Sequence, residues 1–443
     1  MTAPTVLQLD DIQGGVLQTL PTPFFGTVDL LRIDDPAAGR AWLDRVIPSL
    51  RSAANPTDPD ADAWVTVAFT ANGLRALGVP DASLDSFAVE FREGMAARAA
   101  VLHDVGDSAP ECWEAPFGTQ DVHVTLTAFA PDQARRDNML ATVDAVTDTN
   151  PGVMRIYRQQ CQSSTGHEAF GFKNNISQPA VEGSGVAGSN PDEEPIKAGE
   201  FILGYLNESG RVDPVPQPDV LGRNGSYLVL RKLHQRVPAF RQYLRDNAAD
   251  AGDEERLAAK MMGRWRSGAP LVLAPEDDDA ELGADESRNN AFGFRVEDDA
   301  RGFKCPLGSH VRRMNPRDGE IFGNPRTHRL IRREASYGPP LPDGTLTDDG
   351  ADRGMLFACI GASLRRQFEF VQGEWLNDGT FIGQSAEKDP LCGANGGTGV
   401  FTIPDRPLRR RVRDLPTFVV THGGEYFFMP GLSALRWLAG HPS

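Results

Sequence analysis

Two short segments of this chain carry the residue types that chemistry at a buried site requires. One reads Gly171-Phe172-Lys173-Asn174-Asn175-Ile176-Ser177-Gln178-Pro179, the other Cys305-Pro306-Leu307-Gly308-Ser309-His310-Val311-Arg312-Arg313. In the second, a turn-forming run ends on His310, and Arg312, Arg313 and Arg317 follow closely. Neutral imidazole is a common axial ligand of haem iron, and neighbouring guanidiniums suit charge-assisted pairing with propionate carboxylates. The same composition also describes a solvated basic loop with a turn histidine, and at this level both readings stand. A third run, Leu330-Ile331-Arg332-Arg333, adds further guanidiniums. The other histidines read more simply: His123 lies on an alternating strand, His234 follows one, and His441 is near the chain end.

The elements that must position these groups belong to an ordinary globular composition, 40% hydrophobic and 24% charged over 443 residues. That length favours two domains of roughly 200 residues each. With 45 basic and 61 acidic residues the net charge is -16, which repels phosphate and sets nucleic acid and anionic membrane aside as partners. Five dispersed cysteines without a CxxC spacing indicate neither a disulfide framework nor a zinc knuckle and fit a reducing compartment. The first residues show no basic, apolar or twin-arginine export signal, and no apolar run nears the roughly 18 residues of a membrane span. Cytoplasmic residence is the expectation.

Strand-like segments are read at Val28–Arg32, Trp64–Phe69, Asp121–Phe129, Gly225–Leu233, Met355–Ile360 and Thr417–Thr421. Helical spacing is read at Ala37–Leu50, Thr70–Leu77, Pro131–Val146, Val237–Leu244 and Phe368–Leu376. The polar stretches Glu182–Glu194 and Pro275–Arg288 read as loops. Strands and helices in this order predict an α+β fold in which the second half repeats the plan of the first.

Several further segments, taken in order, resemble one family over more than 400 residues. They are Asp11-Ile12-Gln13-Gly14-Gly15-Val16-Leu17, Arg92-Glu93-Gly94-Met95-Ala96-Ala97-Arg98, Gly199-Glu200-Phe201-Ile202-Leu203-Gly204-Tyr205, Asn224-Gly225-Ser226-Tyr227 and Met262-Gly263-Arg264-Trp265, with the two segments above. The chain resembles the dye-decolourising (DyP-type) haem peroxidases, in their longer soluble form. The resemblance implies two ferredoxin-like domains, residues 1–195 and 196–443, with antiparallel sheets and peripheral helices. Haem b would sit mainly in the C-terminal domain, covered by the segment holding Ile176, Ser177 and Gln178. It further implies His310 as the iron ligand, Arg312 and Arg313 beside the cofactor, and Asp389 as acceptor for the ligand's other N–H. Arg332 would be the distal arginine, chosen over Arg329 and Arg333. Partners would be hydrogen peroxide and an aromatic small molecule, acting on a monomer or homodimer.

Two departures from the family pattern bear on the chemistry. Where the family has Gly-x-x-Asp-Gly, this chain has Asn174 and Asn175. A neutral amide can orient a peroxide but is a negligible proton acceptor, whereas asparagine tolerates the left-handed backbone that glycine would supply. The second departure is Glu334, two residues beyond Arg332. In an extended segment the two share a side, so Glu334 is a candidate relocated acid/base; the alternative is a solvated or simply paired carboxylate. Trp265, Tyr337 and Trp375 lie near the matched motifs as candidate electron-transfer residues, with core packing the competing account. The leading expectation is a peroxide-using haem oxidoreductase. The alternatives are a specialised haem oxidase or biosynthetic tailoring enzyme on the same scaffold, or a low-turnover haem-binding protein.

Overall fold

The computed structural model describes residues 6–54, 63–163, 165–319, 321 and 323–440. His441 and the first five residues fall outside them. Among the described residues, no helix is long and apolar enough to cross a membrane.

Eleven strands are described. The first half contributes β1 (Phe24–Ile33), β2 (Trp64–Phe69), β3 (Val124–Ala130) and β4 (Val153–Ser163). The second contributes β5 (Ser226–Gln235), β6 (Ile331–Arg332), β7 (Ala335–Tyr337), β8 (Gly354–Gly361), β9 (Gly399–Ile403), β10 (Arg410–Leu415) and β11 (Val419–Met429). Nine of them form one antiparallel sheet in the order β4-β1-β3-β2-β11-β5-β8-β6, with β7 also on β8; β9 and β10 pair separately. Fourth, first, third, second is thus the strand order within each half. The halves meet where β2 pairs with β11 at Phe69 and Phe428, and β4 comes to lie against β7 at the far edges. One hydrophobic core runs through both halves, from Val28 and Trp42 to Ile331 and Phe427.

The main helices begin where side chains can satisfy the open N–H groups of a first turn. Asp35 accepts from Ala38 N ahead of α1 (Pro36–Val46), and Asp132 from Arg135 N ahead of α2 (Gln133–Asp148). In the second half α3 (Val237–Asn247) starts with proline in its first turn, and α4 (Ala251–Met262) is capped by Asp250. The predicted helix over Phe368–Leu376 is present as π-helical turns, Arg365–Glu369 and Val371–Leu376. The polar stretch Pro275–Arg288 includes one short helix, Ala280–Ala284.

The last strand differs from its sequence reading. Thr417–Thr421 reaches only its start, and β11 runs on through Gly423 and Gly424 to Met429. Both glycines are there for close approach. A Cβ at Gly423 would stand 2.3 Å from the Phe117 ring, and one at Gly424 would stand 2.5 Å from the Met95 sulfur.

Three of the segments that match the family lie at the junction of the halves. Gln13 donates to Val67 O and Pro430 O, both at 2.9 Å, and accepts from Val67 N. Arg333 donates to Gly15 O and Val16 O. Arg98 forms a bidentate pair with the buried Glu369.

Met95 N donates to Glu425 Oε1 on β11. Burial pushes the Glu425 carboxyl up to about 7, against the opposing pull of the Met95 and Tyr426 N–H groups. A folded value above the unfolded one favours the protonated, folded form. The stabilisation is therefore complete below about pH 4.5 and is lost as pH rises through about 7. Glu425→Gln keeps an oxygen for both N–H groups and removes the titration. Its stability in urea is expected to gain on wild type by up to about 3 kcal/mol between roughly pH 5 and 8; parallel pH profiles for the two proteins would refute this.

Candidate active site

His310 opens a single helical turn, α5 (His310–Met314). The residue before it, Ser309, is fully buried and donates through Oγ to Lys260 O at the end of α4, at 2.6 Å. Arg312 and Arg313 were expected beside the cofactor, and the structure corrects this. Arg312 turns away to Asp299 and to Cys305 O, with its guanidinium over the Phe294 ring. Arg313 donates to the carbonyls of Gly308, Trp375 and Glu387. A buried guanidinium needs acceptors on all sides, so this basic pair anchors the histidine's turn and leaves the cavity wall to other residues.

The cavity that His310 faces has a volume of about 630 Å³, within the range of about 300–1,000 Å³ that takes cofactor-sized ligands. Behind the imidazole, Nδ1 lies 3.0 Å from Asp389 Oδ2. Asp389 is wholly buried, and its other oxygen accepts from Leu391 N and Cys392 N at 2.9 and 2.8 Å. Burial alone would raise this carboxyl. The adjacent His310, the Cys392 N–H and Arg313 outweigh it and hold the group below its ordinary value. An ionised carboxylate only accepts, so the imidazole proton sits on Nδ1 and the Nε2 lone pair is left for a ligand.

Other parts of the lining come from the 171–179 segment and from β6. Arg332 donates through Nη1 to Glu334 Oε1 at 3.0 Å and through Nη2 to Ile176 O at 2.5 Å. Gln178 lies outside the cavity lining; its amide brackets the Arg332 backbone, accepting from its N–H and donating to its carbonyl. Asn174, Ile176 and Ser177 line the cavity. Asn175 and Ser177 take left-handed backbone, φ 58° and 76°, the former as expected for asparagine. The Asn174 carbonyl oxygen is occupied by the Asn175 N–H at 2.9 Å, which leaves its amide N–H groups as the available function.

Glu334 shares the cavity wall with Arg332, as the two-residue spacing predicts. It is almost fully buried, and among the described residues Oε2 has no hydrogen-bond partner. Of the three arginines weighed from the sequence, Arg332 and Arg329 line the cavity, whereas Arg333 is spent on the junction between the halves. Trp265, Tyr337 and Trp375 are all buried, so none is an exposed aromatic. Trp265 Nε1 donates to Ala274 O, and Trp375 packs edge-on to Phe370 and Phe381.

Four further polar residues of the lining were given no role in the sequence reading. Arg264 is buried, which pushes its guanidinium down to about 10, and it donates to Gly268 O, Asn289 O and Asn290. Arg329 pairs with Glu193, and His328 stacks on Phe370 at 4.0 Å. Glu168 accepts from Phe170 N, Phe172 N and Gln235. Arg264 belongs to a quoted segment and Arg329 to the weighed trio, so a signal existed for those two. Nothing local marked the others.

An open imidazole nitrogen, an unpartnered buried carboxylate oxygen and five arginines, Arg231, Arg236, Arg264, Arg329 and Arg332, around one cavity fit a haem with its two propionates. Comparison with known proteins agrees. Residues 11–163 match the model of the DyP dimeric alpha+beta barrel domain. The chain is 32% identical to dye-decolorizing peroxidase msp1 of Mycetinis scorodonius, over 97% of this chain and 87% of that protein. It is 27% identical to the multifunctional dye peroxidase DyP2 of an Amycolatopsis species, over 99% and 97%. Among solved structures, an ancestral D-type dye decolorizing peroxidase superposes with a TM-score of 0.83 at 31% identity, covering 98% of this chain and 99% of that one. A fungal DyP-type peroxidase from Auricularia auricula-judae gives 0.84 at 28% identity, covering 98% and 100%. A near-complete match at this identity, with the same fold, makes the chain a member of the dye-decolorizing peroxidases, the DyP-type haem peroxidases.

Proposed function

We propose that the chain uses hydrogen peroxide to oxidise aromatic small molecules at haem b, through His310 and the Arg332–Glu334 pair. A solved relative is a dye-decolorizing peroxidase in complex with 2,6-dimethoxyphenol, which supports phenols as a substrate class. The observation that carries the reading is an imidazole whose back nitrogen is fixed by a buried carboxylate and which shares one cavity with a guanidinium. Haem, when bound, supplies the iron at which peroxide is reduced and a ring able to hold oxidising equivalents. Arg264 and Arg329 are the guanidiniums on the cavity wall that take over the propionate-binding role first read for Arg312 and Arg313. The cofactor is held mainly by the second of two ferredoxin-like domains, residues 196–443, and the 171–179 segment of the first covers it; the recurring strand order supports that division.

His310 Nε2 would hold the iron, and Asp389 makes that nitrogen more basic by accepting the Nδ1 proton. Arg332 stabilises negative charge that develops on a peroxide oxygen during cleavage. Asn174 can donate from Nδ2 to a peroxide oxygen but cannot take its proton. Glu334 is the carboxylate on this wall with an unshared oxygen, so it takes the proton at Oε2 and returns it to the leaving oxygen. Its other oxygen, Oε1, is held by the Arg332 guanidinium at 3.0 Å. A second reading, slow turnover, is favoured by one observation: the Asn174 oxygen is already committed to its own neighbour.

Stopped-flow absorbance of the ferric protein with peroxide separates the two readings. Glu334→Gln is expected to slow the peroxide reaction by about 10²–10⁴, and an unchanged rate would remove Glu334 from the chemistry. Asn174→Asp restores a second carboxylate and is expected to accelerate the reaction; the same substitution without effect would mean that Glu334 alone sets the rate. His310→Ala is expected to abolish the Soret band of the purified protein, and full retention of haem by that variant would overturn the ligand assignment.

A further inference from the structure

On the sheet face turned away from the cavity, three side chains converge that the peroxidase reading does not use. His234 is on β5, His422 on β11, and Asp352 precedes β8. His422 falls in a register shift: Thr421 pairs with Leu233 and Gly423 with Lys232, which leaves His422 with no partner across the ladder. A bulge of this kind bends the strand and redirects a side chain. Here the His422 ring stacks on His234, centroids 4.8 Å apart and 7° from parallel.

We propose that His234, His422 and Asp352 bind one divalent transition-metal cation of the zinc and copper type, at a site separate from the haem cavity. Two imidazoles and a carboxylate are a donor set suited to these borderline ions, with open positions left for water. Asp352 Oδ1 lies 3.2 Å from His234 Nδ1 and 3.9 Å from His422 Nδ1, and one donor atom from each residue lies within 4.8 Å of the others. Donors on a common zinc ion at about 2.0–2.2 Å stand about 3.3–3.6 Å apart in a tetrahedron. Stacked rings cannot both aim at one ion, so binding turns one ring about its χ2. The side chains are 22%, 33% and 47% exposed, which permits that rotation and gives the ion a path in.

Charge and neighbours favour a cation. Lys232 Nζ sits between Asp352 Oδ2, at 2.7 Å, and Glu114, so two carboxylates face one ammonium and the imidazoles add no charge when neutral. The Tyr337 hydroxyl donates to Asp352 Oδ1 at 3.2 Å, an outer contact that orients the carboxylate. Glu114 is tied by its N–H to His422 O, and its carboxylate pairs with Lys232.

Zinc chloride titrated calorimetrically into the haem-loaded protein is expected to bind at one equivalent with micromolar affinity. His234→Gln and His422→Gln are each expected to weaken it by more than about tenfold, the loss that even an outer-shell partner can cause, with the Soret band unchanged. Electron paramagnetic resonance with one equivalent of Cu²⁺ gives an independent readout in the wild type: nitrogen hyperfine coupling from two imidazoles is expected. Zinc uptake undiminished in the double variant, absence of uptake at millimolar zinc, or a copper signal without nitrogen coupling would each overturn the assignment.

Discussion

A fully buried carboxylate must be hydrogen-bonded on both oxygens, and the organisation of the site follows from how Asp389 obtains its donors. Two backbone N–H groups bind one oxygen and the His310 imidazole binds the other. Removing any of these would leave an unpaired charge in the interior, at a cost of several kcal/mol. The imidazole is therefore held in one tautomer and one direction before any ligand arrives. Arg312 and Arg313 serve the same end, because their guanidiniums bind the carbonyls that surround the helical turn carrying His310. The basic run beside a histidine reads at first as a ligand-binding surface, yet it is the scaffold of the histidine.

The sheet divides labour by its period of two. Along β5, Arg231, Leu233 and Gln235 line the cavity, while Lys232 and His234 face the other way. On β11, Val419 and Thr421 line it as well. One continuous sheet across the two halves lets segments distant in sequence share that cavity: Asn174 and Ile176 come from one half, Arg332 and His310 from the other. The ties at the junction, Gln13 to Val67 and Pro430, and Arg333 to Gly15 and Val16, hold these contributions in register.

The Arg332–Glu334 pair lines the same cavity as the imidazole. One Glu334 oxygen is paired and the other is buried without a partner. An unpaired buried oxygen lowers stability by about 1–3 kcal/mol, and such unsatisfied groups concentrate where chemistry uses them. The Asn174 side-chain oxygen, by contrast, accepts from the N–H of its own neighbour, Asn175.

The amino-acid sequence determined the strands and helices of both halves wherever apolar periodicity was clean. Trp64–Phe69 matches β2 residue for residue, and Met355–Ile360 lies within β8. The family resemblance singled out His310, Asp389 and Arg332, and the side shared by residues i and i+2 added Glu334; the fold brings His310, Arg332 and Glu334 to one cavity, with Asp389 bonded behind His310. The continuation of β11 through Gly423-Gly424 was decided only by tertiary packing, since those glycines are needed for the Phe117 ring and the Met95 sulfur, which lie more than 300 residues away in the chain. So were the outward turn of Arg312 and Arg313 and the cavity placement of Arg264, His328 and Glu168. A side chain's direction depends on which buried acceptors and rings surround it, and those neighbours come from segments that no local pattern links.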